Sequence, residues 1–130
     1  MFKTLTVRLA ATTVALAAVT GCSNPAGPDD LVVDPVQIEN VEVRVLESSP
    51  PQAVAHVEGV LGDGCSEVHS VEQARSGNVV ELTILRQRPR DAICTMILRA
   101  YVADIPLRGT FPPGRYVLRV NGVESEFRTE

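Results

Sequence analysis

From residue 35 onward the chain alternates apolar and polar residues with a period of two. Val41, Val43 and Val45 alternate with Glu42 and Arg44, and Val80, Leu82 and Ile84 alternate with Glu81 and Thr83. Ala53, Ala55, Val57 and Leu61 take one phase, His56 and Glu58 the other. Tyr116, Leu118 and Val120 share a phase, as do Val123, Ser125 and Phe127. This period gives a strand one buried and one wet face. Ladder-breaking clusters separate the runs: Ser49-Pro50-Pro51, Gly62-Asp63-Gly64, Ser76-Gly77-Asn78, Arg88-Pro89-Arg90 and Pro112-Pro113-Gly114. Asn121-Gly122, between Val120 and Val123, predicts a two-residue hairpin, because both residues accept the positive φ of a type I′ turn. In Thr95–Leu107 the residues Met96, Ile97, Leu98, Ala100 and Tyr101 suit either a helical turn or a strand, and the strand is preferred.

About seven short strands result. That number in about 100 residues predicts an all-β fold, an immunoglobulin-like two-sheet antiparallel sandwich. The stretch from Leu107 through Pro112-Pro113-Gly114-Arg115-Tyr116 resembles the tyrosine corner of Greek-key sandwiches. That resemblance makes Tyr116 structural, bonding backbone a few residues upstream. The alternative is an ordinary strand tyrosine.

The start of the chain follows another pattern. Lys3 and Arg8 precede an uncharged apolar run of 11 residues, Leu9–Val19. A spanning helix needs about 20 residues, so the run reads as an export signal. It ends in Val19-Thr20-Gly21-Cys22, which resembles the lipobox of bacterial lipoproteins. The resemblance implies cleavage before Cys22 and lipid on its sulfur, which would anchor the chain to a bacterial membrane. An ordinary secretory signal with an incidental Cys shares the charged start and the small residues. The expected organisation is signal 1–21, lipidated Cys22 with a flexible tether 22–34, and a sandwich 35–130. Two Pro, one Gly and the adjacent acids of Ser23–Asp34 suggest the tether.

Cleavage changes the charge. The whole chain carries −4; without Lys3 and Arg8 it carries −6, with Arg as the sole remaining basic type. An acidic domain lacks the cations that neutralise phosphate, so nucleic acid is not an expected partner. At 45% hydrophobic, the chain is too apolar for disorder.

Of three Cys, Cys22 goes to lipid, leaving Cys65 and Cys94. In an oxidising compartment such a pair is most often a disulfide. A loop of 30 residues closed this way is worth about 3.6 kcal/mol in the chain-entropy account. Zinc held by Cys65, His69, Cys94 and His56 is the alternative, although the C-x-x-C turn of zinc knuckles is absent.

No G-x-S-x-G, H-E-x-x-H, P-loop or dinucleotide fingerprint occurs. No catalytic residue, metal, cofactor or small-molecule substrate is therefore expected. Arg86, Arg88 and Arg90 concentrate positive charge and form a candidate partner-binding loop, against the alternative of a solvated turn offset by Asp91. The grouping of Asp63-Gly64-Cys65, Arg88-Pro89 with Ala92 and Cys94-Thr95, and Pro113-Gly114-x-Tyr116 with Val120-Asn121-Gly122 resembles modules of secreted and lipoprotein chains in environmental bacteria. The resemblance covers most of residues 36–128 and implies fold and location, with no chemistry attached. The expected function is a non-enzymatic, lipid-anchored binding or assembly module of the cell envelope with a protein partner. The alternative is an envelope protease inhibitor presenting Thr110–Gly114 or Arg86–Asp91.

Overall fold

The computed structural model describes residues 30–130. The signal, the lipobox and Cys22 lie outside the described residues. All eight elements are strands: β1 Leu31–Pro35, β2 Gln37–Leu46, β3 Gln52–Gly62, β4 Glu67–Ser76, β5 Val79–Pro89, β6 Arg99–Pro106, β7 Gly114–Val120 and β8 Val123–Thr129. Strands β2, β3 and β6 form one sheet, and β1, β4, β5, β7 and β8 form the other. The expected two-sheet sandwich is present, with eight strands where about seven were expected.

The period-two runs explain the core. In β3, Ala53, Ala55, Val57 and Leu61 are buried, and in β5 so are Val80, Leu82 and Ile84. Tyr116, Leu118 and Val120 of β7 and Phe127 of β8 complete the inner layer. Each large apolar side chain so buried contributes about 1.5–3 kcal/mol. Phe111, fully buried, meets Tyr116 and Phe127 edge-on at 5.2 and 5.5 Å, and the Arg75 guanidinium lies 4.6 Å from its ring centre.

Two expectations need correction. Leu31–Asp34, assigned to the flexible tether, belongs to strand β1, which pairs antiparallel with Leu85–Pro89 of β5. Its short apolar run Leu31-Val32-Val33 follows Pro and Asp residues that suggested coil, but the free edge of β5 supplies a ladder for it. The chain then crosses to the other sheet through a single residue, Val36, which is buried and donates its N–H to Ile84 O at 2.9 Å. Secondly, the sheets are not wholly antiparallel: β5 and β7 pair in parallel, Val79–Leu82 against Val117–Val120. The chain leaves β5, runs through β6 in the opposite sheet and returns as β7, so the two neighbours point the same way. The other strand pairs are antiparallel.

The tyrosine corner is present. Tyr116 OH donates to Pro112 O at 2.5 Å, and Thr129 Oγ1 donates to the same oxygen at 2.7 Å. The Asn121-Gly122 hairpin is also present, with φ of +47° and +89°. Thr95–Leu107 divides: residues 92–98 are irregular, and strand begins at Arg99.

Candidate functional site

One end of the sandwich gathers most of the residues singled out above. It is built where β3 ends at Gly62, β5 ends at Pro89, and β1 and β6 begin. Asp63 organises it. Its Oδ1 accepts from Cys65 N–H at 3.1 Å and from Ser66 Oγ at 3.0 Å, which folds the turn. Its Oδ2 accepts from Arg88 Nη1 at 2.8 Å. Burial pushes the Asp63 carboxyl toward a higher pKa, but the bonds from Ser66, Arg88 and Cys65 outweigh it and hold the group below its ordinary value.

The candidate basic loop is therefore put to a different use. Arg86 and Arg88 lie within β5 and face the end of β3. Arg86 Nη1 donates to Leu61 O, and its Nη2 stands 3.9 Å from Asp34. Arg88 pairs with Asp63, and Arg99 Nη1 donates to Ser66 O at 2.9 Å. Planar guanidinium groups suit such struts because each satisfies carbonyl or carboxylate acceptors with fixed geometry. Arg90 alone of the three stands at the exposed turn, where its backbone N–H donates to Asp30 O at 2.7 Å. The charge offset comes from Asp63 and Asp34, not from the neighbouring Asp91 as the sequence suggested.

Cys65 and Cys94 are bonded, with Cα atoms 5.5 Å apart, inside the usual span of a disulfide. Asp63 is their acidic neighbour, within 4.8 Å, yet bonded sulfurs are not thiolate ligands. The histidines of the zinc alternative lie elsewhere: His69 Nδ1 meets Gln87 Oε1 at 2.8 Å, and His56 Nδ1 meets Asp104 Oδ1 at 2.7 Å on the outer face of the three-stranded sheet. The four candidate ligands are not brought together. Thr110–Gly114 is likewise no free reactive loop, since Phe111 is fully buried and Pro112 O is held twice.

What the sequence reading missed follows the disulfide. Residues 92–98 project as an irregular loop, and Ile93, Met96, Ile97 and Leu98 are 103%, 94%, 65% and 76% exposed. A shallow cavity of about 260 Å³ lies beneath, lined by Gly62, Asp63, Arg88, Met96 and Leu98. The loop is fixed at its base: Gly64 N–H donates to Thr95 O at 2.9 Å, and a Cβ on Gly64 would collide with Thr95 Oγ1. The sequence signal was there as an apolar run, but such a run reads as a buried strand when its neighbours are unknown.

Comparison with known proteins extends over this region. The chain is 35% identical over 88 residues to the "Uncharacterized 10.2 kDa protein in HgiCIIM 5′region" of Herpetosiphon aurantiacus, covering 68% of this chain and 94% of that protein. It is 34% identical over 76 residues to the corresponding protein in the HgiBIM 5′ region of the same organism, covering 58% and 93%. No solved structure matches. The ORF11 beta-sandwich domain matches residues 55–129, from within β3 to the end of β8. With strands of both sheets, the Cys65–Cys94 bond and the tyrosine corner inside that span, the chain belongs to the ORF11 beta-sandwich domain family.

Proposed function

We propose that this chain is an exported lipoprotein, a non-enzymatic binding or assembly module held at a bacterial membrane by lipid on Cys22. The observation that carries the reading is the Cys65–Cys94 disulfide downstream of Val19-Thr20-Gly21-Cys22. A disulfide persists in compartments outside the reducing cytosol, which agrees with an export signal. The conspicuous reactive types are also engaged structurally: both distal Cys in the bond, Asp63 with Arg88, and His56 with Asp104. Among the described residues no helix is long and apolar enough to cross a membrane. Two lipid chains give stable attachment without one, at about 0.8 kcal/mol per buried methylene.

Fractionation with mass spectrometry tests the proposal. The native chain should enter the membrane fraction with Cys22 at its amino terminus carrying the mass of a diacylglyceryl group. Cys22→Ser should lack that mass and lose wash-resistant attachment after export. A native mature chain whose Cys22 carries no lipid overturns the reading.

A further inference from the structure

We infer that the loop of residues 92–98 is a lipid-docking tip, entering the surface of the bilayer to which Cys22 is attached. The inference rests on the lipid-anchor reading and adds a second contact to it. Four large apolar side chains stand in solvent on this one loop, and Ile93 and Met96 are almost wholly exposed. Scattered apolar side chains on a surface are ordinary, but a contiguous group marks a contact. The group is also held in place, by the disulfide on one side and the Gly64–Thr95 hydrogen bond on the other.

The path of the chain names the occupant. Asp30 O accepts from Arg90 N–H, so the amino-terminal end of the fold sits at the foot of this loop. Eight peptide steps link Cys22 to Asp30, and fully extended they reach about 28 Å. Strand β3 has 11 residues and is about 36 Å long at the usual rise. The hairpin at Glu47–Pro51 lies at the far end of β3, beyond the reach of that tether. Cys22 can therefore lie beside the loop end but not beside the hairpin, which keeps the loop end nearer the anchoring point. The contact is apolar: without residues 1–21 the chain carries −6, so its net charge does not draw it to anionic headgroups. Met, Ile and Leu side chains suit the boundary between headgroups and acyl chains.

The chain has no Trp, so Met96→Trp introduces a single emitter at the tip. The full lipidated chain is reconstituted in vesicles of phosphatidylethanolamine and phosphatidylglycerol, with or without brominated acyl chains. Met96→Trp should emit to the blue and be quenched by bromine, while Ser49→Trp at the opposite end stays red and unquenched. In the unlipidated Cys22→Ser chain, replacing Met96 and Ile97 with Ser should weaken vesicle partition on the order of tenfold. A red, iodide-quenched Met96→Trp on a membrane-anchored chain overturns the docking tip and leaves the anchor intact. If Cys22 carries no lipid, the anchor reading fails by itself; vesicle titration of the same Trp chain then upholds the tip by a blue shift or overturns it by none. A blue shift without vesicles that grows with protein concentration overturns it in favour of a second copy.

Discussion

His56 shows how one exposed residue can set a pH dependence. Its ring lies on β3 with Asp104 of β6 at 2.7 Å and Glu58 Oε1 at 3.6 Å, and Arg44 of β2 reaches the same Asp104 carboxylate at 3.3 Å. The hydrogen bond with Asp104 raises the His56 pKa above 6.5; partial burial opposes the rise, and Glu58 adds to it. Asp104 is held below its ordinary value, first by the bond with His56. The signs follow. A raised histidine pKa means the fold binds the proton more tightly, so its contribution is complete below pH 6.5 and disappears as pH rises through the folded value. The lowered carboxyl contributes above its unfolded value and is lost in acid. Denaturation midpoints measured across pH 5–9 should therefore fall as pH rises above 6.5. His56→Gln should flatten that slope. An unchanged slope would assign it to another group. The effect is small, since these groups stand largely in water and salt screens them.

At the scale of elements, the least legible feature is how β1 and β7 share one edge of β5. β4 occupies the other edge over Val79–Gln87, so β1 and β7 must lie end to end. Asn121 closes the junction. Its Nδ2 donates to Val36 O and Ile84 O at 2.8 and 2.9 Å, its Oδ1 accepts from Ile84 N–H at 2.9 Å, and its own N–H donates to Leu82 O. The sequence revealed Asn121 as a turn residue through its neighbour Gly122. It could not reveal a side chain reaching 85 residues back to Val36, because a type I′ turn alone explains Asn-Gly. The same limit hid β1, whose partner strand is remote, and the parallel pair, which depends on two sheet crossings. The buried phase of β3, β5 and β7 was legible because period two is local. Asn121→Gly separates the two roles: it accepts the positive φ but deletes the side chain. Losing these partly buried bonds should cost about 2–4 kcal/mol in chemical denaturation, with faster hydrogen exchange at Ile84. A cost near zero would show that the turn, and not the junction, is what Asn121 supplies.

At the scale of the whole molecule, stability and compartment are linked through one bond. The described fold is small and has no helix to add a third layer; its two sheets meet across a core of modest valines, leucines and four aromatic residues. Domains of this size hold about 5–15 kcal/mol in total. Closing a loop of 30 residues supplies about 3.6 kcal/mol of that in the chain-entropy account. The bond also joins the end of β3 to the segment leading into β6, two strands that already pair, so its loss leaves the ladder intact and acts on the projecting loop first. Cys65→Ala with Cys94→Ala should therefore fold with the same two sheets yet lower the unfolding free energy by about 3–4 kcal/mol. Hydrogen exchange should speed most in residues 92–98 and at Gly64, and least at Leu82 and Leu118. The native sequence kept in a reducing cytoplasm should match this variant, whereas the same sequence exported and oxidised should not. Equal stability of the oxidised chain and the double variant would assign the bond no thermodynamic role in the fold.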